Sequence, residues 1–141
     1  MNLFVLDTDH LSLYQRGVEP LTSKLLEVEH SHDELEICII SIEEQLRGRL
    51  AQVRSATTVN HLAQAYHWLH ETFDQLSRFP ALDFDDSAVT AYDDLLACKL
   101  RIGTQDLCIA AIVLSRGGVL LTRNPQDFGR IPSLQSEDWP R

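Results

Sequence analysis

Acidic residues recur where the apolar runs of this chain end. Asp7 directly follows LFVL, Glu43 and Glu44 follow ICIISI, and Asn124 and Asp127 follow VLLT. Asp106 stands just inside an apolar helical segment, DLCIAAIVLSR, that Thr104 opens. If the runs are parallel strands, these side chains gather at one end of one sheet, where open α/β sheets bind ligands. Two carboxylates about 5 Å apart repel by roughly 3 kcal/mol at an effective dielectric of about 20. Three or four must take up protons, splay apart or bind a cation. Oxygen donors with no His or Cys pattern beside them select Mg²⁺ or Mn²⁺ over zinc. Such an ion activates water and neutralises charge on a phosphoryl oxygen. Metal-assisted phosphodiester hydrolysis is the reaction class to expect.

A plainer account competes with this one. The chain has 21 acids in 141 residues, and acids in a first helical turn stabilise the helix dipole by about 0.3–1 kcal/mol without any further role. Asp106 alone, or Glu44 alone, carries little. Their convergence carries more.

The elements that must position these acids can be read from periodicity. LFVL at 3–6 is a short continuous apolar run, the mark of a strand buried on both faces. Asp9 is placed to cap a helix over 10–15, which Gly17 ends. Pro20 opens a second helix reaching about residue 29, and HSHDELE reads as a polar turn before a strand at 37–42. A helical pattern, EEQLRGRLAQV, follows, then a long helix over about 56–77. There Val59, Leu62, Tyr66, Leu69, Phe73 and Leu76 keep three–four spacing. That stripe is expected to be core or half of a helical hairpin, with a dimer or partner surface as the alternative. Pro80 breaks the chain before a strand at 81–85; a helix over 87–100 then turns Ala88, Ala91, Leu95 and Leu96 inward. Thr104 caps a central buried helix that Gly117 and Gly118 terminate; a strand at 119–122, a helical turn at 125–128 and a tail with one edge strand complete the chain. Short strands separated by helices predict a single α/β domain over 1–141, with a mostly parallel sheet covered on both faces.

Composition sets limits. Hydrophobic content of 44% and charged content of 23% are those of an ordinary globular protein. No apolar run reaches membrane-spanning length, and MNLFVLDTDH lacks the features of a signal peptide. Cys38, Cys98 and Cys108 have no CxxC spacing and are expected to be small hydrophobes in a reducing cytoplasm. The net charge of −9 is unusual for a nucleic-acid binder. Metal and a basic partner offset part of it, and all but two of the 12 basic residues are arginine, the better phosphate fork. Arg47, Arg49, Arg101 and Arg123 fall near the candidate motifs.

FVLDTDHLS, SIEEQLRGRL, RIGTQDLCIAAIVL and LLTRNPQDF, in this order and spacing, resemble the PIN-domain nucleases, specifically the toxins of bacterial VapBC toxin–antitoxin pairs. The resemblance covers essentially the whole chain. It implies a three-layer α/β/α sandwich with an acidic site for Mg²⁺ or Mn²⁺, an RNA substrate, a VapB-like antitoxin that inserts a segment into the site, and frequent homodimers. Carried over by position, it implies metal-binding catalytic roles for Asp7, Glu44 (four residues before Gly48) and Asp106. Asp127 is implied as the fourth acid, with Asn124 as polar support, and Glu43 is left as a helix-start acid. Thr8, Ser41, Thr104 and Thr122 are candidates to orient carboxylates or waters, local backbone capping being the equal alternative.

Two other readings compete. FVLDTDH also resembles the opening of haloacid-dehalogenase-type phosphatases, with Asp7 as nucleophile and Asp9 as general acid. That family expects a later lysine motif, and neither Lys24 nor Lys99 follows an apolar strand. The other is a non-catalytic interaction module that keeps the fold. His30, His32, His67, His70 and Glu71 lack zinc-site spacing and read as solvated surface.

Overall fold

The computed structural model describes residues 2–139. Within them β1 (Leu3–Leu6), β2 (Glu34–Cys38), β3 (Ala81–Leu82), β4 (Val119–Leu121) and β5 (Gln135–Glu137) form one five-stranded sheet in the order β3-β2-β1-β4-β5. Every pairing is parallel. Alternating side chains feed two cores, as strand pleating requires. From β1, Val5 joins the core formed with α5 (Asp86–Ala97) and α6 (Thr104–Arg116). Phe4 and Leu6 join the core formed with α1 (Thr8–Gln15), α2 (Leu21–Glu29) and the end of α4 (Val59–Leu76). The result is the expected α/β/α sandwich.

α6 is the apolar centre of the first core: Leu107 and Ile109, Ala110, Ala111, Ile112 and Val113 are all buried. It stops at Gly117, whose φ of +65° is the left-handed conformation that glycine adopts without steric cost. Pro125 begins the single-turn helix α7 (Pro125–Phe128), and Phe128 is buried beneath it.

Several boundaries differ from expectation. α1 begins at Thr8, and its cap is Asp7, not Asp9; Asp7 is the residue in extended conformation whose carboxylate accepts the His10 N–H, one of the free donors of the first turn. The strand expected at 37–42 ends at Cys38, and α3 (Ile39–Ser55) starts at once. Glu34, Leu35 and Glu36, read as turn, belong to β2. Glu43 therefore lies in the second turn of α3, where it pairs with Arg47, rather than at the helix start. The strand at 81–85 shrinks to two residues, and the helix expected over 87–100 runs from Asp86 to Ala97. Leu96, expected to face inward, is 50% exposed. Gly103, not Thr104, is the cap of α6. Cys38 is buried as expected and Cys108 half-buried, but Cys98 is exposed.

α4 forms half of the expected helical hairpin but is less covered than a core helix. It packs on α3 as a helical hairpin, yet much of its apolar stripe faces water: Val59 is 81%, Tyr66 54% and Phe73 61% exposed. A stripe wide enough to cover α3 continues past it.

Candidate functional site: an acidic crevice at the switch point

The chain leaves β1 toward β2 on one side and reaches β4 on the other only after crossing back through α5 and α6. β1 and β4 therefore flank the switch point, where the connections diverge and leave a crevice at the strands' carboxyl ends. Asp7 stands there. Its backbone N–H donates to the Leu121 carbonyl across β4 (3.0 Å), and its Oδ1 accepts the His10 backbone N–H (2.8 Å). Only 6% of the residue is exposed.

Three further acids approach from separate elements. The Thr8 hydroxyl donates to Glu44 Oε2 on α3 (2.9 Å), with the buried Ser41 hydroxyl 3.2 Å from Thr8 Oγ1. Asp106 lies in the first turn of α6. Asp127 on α7 accepts a hydrogen bond from Asn124 Nδ2 (2.8 Å). These acids sense one another. Burial pushes the Asp106 carboxyl above its ordinary range, and the charges of Asp7, Asp127 and Asp9 push it further. Burial also raises Glu44; the Thr8 hydrogen bond opposes this, and Asp106 adds to it. The same field reaches β2, where burial, Asp7 and Glu36 push the Cys38 thiol up to about 12 and keep it neutral.

The supporting hydroxyls divide. Thr8 orients a carboxylate. Thr122 is buried and accepts the Asn124 backbone N–H (3.0 Å), a local turn contact. Thr104 is exposed. Arg47 and Arg49, placed near the site by their motifs, are engaged along the hairpin, Arg47 by Glu43 and Arg49 by Thr72 and the Trp68 ring. Four carboxylates with no His or Cys ligand among them are the oxygen-donor chemistry that suits a hard divalent cation. Among the described residues, however, no three His, Cys, Asp or Glu side chains meet closely enough to hold a metal ion. The acids share one crevice without converging on one point.

Sequence reasoning missed His10 and Asp138. The His10 ring is fully buried against Asp7, three residues earlier, and it also contacts Asp138. Asp138 follows β5 directly, so the strand-end rule that found the other acids applies to it too.

No protein-family model matches the sequence. A chain of the DNA-bound VapBC of Salmonella typhimurium superposes with a TM-score of 0.74 at 25% identity, covering 99% of each chain. The VapBC2 of Rickettsia felis, solved with a DNA fragment from its promoter, gives 0.74 at 24% identity, covering 97% of this chain and 98% of that one. This chain has the VapC-like PIN fold. Among curated proteins, the tRNA(fMet)-specific endonuclease VapC of Shigella flexneri is 35% identical over 68 residues, 45% of this chain and 52% of that protein. The chain spans about half the length of the curated relatives it matches. The VapC-like framework does not favour the phosphatase alternative. Asp9 is exposed on α1, and the Lys24 ammonium is held by the Trp139 carbonyl (3.2 Å).

Proposed function

We propose that this chain is a metal-dependent endoribonuclease acting as the toxin of a toxin–antitoxin pair. The observation that carries the reading is the placement of Asp7 at the β1–β4 switch point of a VapC-like fold, with acids brought to the same crevice by α3, α6 and α7. Asp7, Glu44, Asp106 and Asp127 would hold Mg²⁺ or Mn²⁺, which would polarise the scissile phosphodiester and ease deprotonation of the attacking water. The chain's own work is orientation. Thr8 fixes Glu44, Asn124 fixes Asp127, and the cap of α1 fixes one oxygen of Asp7. Arg101 and Arg123, exposed on the segments leading into α6 and α7, offer forks for phosphate.

An antitoxin partner is supported by the α3–α4 hairpin. An apolar groove of 870 Å³ beside Ile39, Ile42 and Ala51 adjoins one of 460 Å³ beside Tyr66, Leu69 and Phe73; Leu46 and Leu50 line both. Surface of this kind is ordinarily covered by a partner, a VapB-like protein or a second copy of the chain. No helix among the described residues is long and apolar enough to cross a membrane, and a cytoplasmic location would suit the proposed RNA substrate.

The test is RNA cleavage by the purified protein freed of any partner, with Mg²⁺, with Mn²⁺ and with EDTA, beside an Asp106→Asn control. Cleavage that needs the metal and vanishes in the control is expected. Cleavage that survives EDTA, or that the control retains, overturns the assignment.

A further inference from the structure

His10 is the one fully buried histidine among the described residues, and the site roles above make no use of its ring. The Trp139 backbone N–H donates to Nε2 (3.3 Å), so Nε2 is an acceptor and the ring proton belongs on Nδ1. Nδ1 faces Asp7 Oδ1 at 3.4 Å and is buried with no hydrogen-bond partner of its own. A buried N–H of this kind is costly unless an acceptor serves it, and Asp7 is the acceptor it faces. The same Asp7 oxygen already accepts the His10 backbone N–H. On the far side the ring is backed by residues after β5. Asp138 stands 3.6 Å from Nε2, the Trp139 indole lies against Phe4 with ring centroids 4.9 Å apart, and Lys24 donates to the Trp139 carbonyl.

We propose that His10 is a positioning residue. Its Nδ1–H, oriented by the Trp139 backbone, fixes the Asp7 carboxylate for the cation and ties the segment after β5 to the acidic crevice. Groups that orient a ligating side chain typically change metal affinity about 10–100-fold when removed. The inference rests on Asp7 being a metal ligand, as proposed above.

Mn²⁺ binding is measured by calorimetry at one fixed pH for the unsubstituted protein, His10→Leu and His10→Asn. Leucine keeps the volume and loses the N–H; asparagine restores a donor near the Nδ1 position. The expected result is about 10–100-fold weaker binding for His10→Leu, with His10→Asn recovering most of the loss. Leucine binding as tightly as histidine overturns the inference while leaving the metal site standing. Failure of the unsubstituted protein to bind Mn²⁺ overturns the site reading itself and this inference with it. Should His10→Leu not fold, ¹⁵N spectra of the unsubstituted protein decide. A proton on His10 Nδ1 whose resonance moves on Mg²⁺ saturation is expected; an unprotonated Nδ1, or a resonance that Mg²⁺ leaves in place, overturns the proposal.

Discussion

The acidic crevice and the α3–α4 hairpin both hold surface that a folded chain ordinarily avoids, but of opposite kinds. At the crevice, burial first and neighbouring acids second make Asp106 and Glu44 hold their protons more tightly than free carboxylates do. On the hairpin, aromatic and aliphatic groups stand in water, with Phe73 61% exposed. The crevice is costly because its acids are both buried and close to one another, whereas the apolar stripe of the hairpin is wider than α3 covers. Neutralising an acid should therefore relieve the fold while ending the chemistry. Trimming an exposed aromatic should leave both nearly unchanged in the isolated chain. α6 supplies the reference, because its apolar groups are covered by the chain itself.

The comparison can be broken at four points. The largest effect belongs to Asp106→Asn, which should lower metal-dependent RNA cleavage about a thousandfold, the several kcal/mol that a lost ligand represents; single-turnover cleavage assays measure it. Next, Ile112→Ala inside α6 should cost about 2–5 kcal/mol by urea unfolding, as cavities in closed cores do. Phe73→Ala on the hairpin should stay within about 0.5 kcal/mol. Equal costs at Ile112 and Phe73 would erase the distinction between a covered apolar face and an uncovered one. The smallest effect is in pH. Asp106 and Glu44 have folded proton affinities raised above their ordinary values of 3.8 and 4.5. Their favourable contribution is therefore full below those values and lost as pH rises through the raised ones. Thermal melts in EDTA should show Tm declining by a few degrees across that window, and Asp106→Asn should lessen the decline. A Tm that climbs instead means these acids are stabilised by partners rather than strained by neighbours.

Much of the site was legible because it follows a rule of topology. Acids at the ends of LFVL and VLLT and at the head of α6 must face the same end of the sheet if it is parallel, and it is, although among the described residues no three of them close on a single point. The β2–α3 junction was not legible, because ICIISI contributes apolar residues both to the strand end and to the first turn of a helix packed over it. Glu34 and Glu36 looked like turn because β3 is so short. It pairs only with Ile37 and Cys38, leaving residues 34–36 with β1 alone as a neighbour and charged side chains tolerable on that margin. The exposed stripe of α4 shows the limit of periodicity, which reports that a face is apolar and not what covers it. His10 escaped notice because a single histidine beside a helix start has no spacing to announce it; its meaning comes from a tail 128 residues away, Asp138.

Asp7 serves two masters, the cap of α1 and the proposed chemistry, and the two demands differ in one respect. A cap needs a short side chain with an acceptor oxygen, which asparagine also supplies; a cation needs the charge. One base change turns an aspartate codon into an asparagine codon. The easiest way for a lineage to disarm this protein thus leaves a folded chain with its helical hairpin intact.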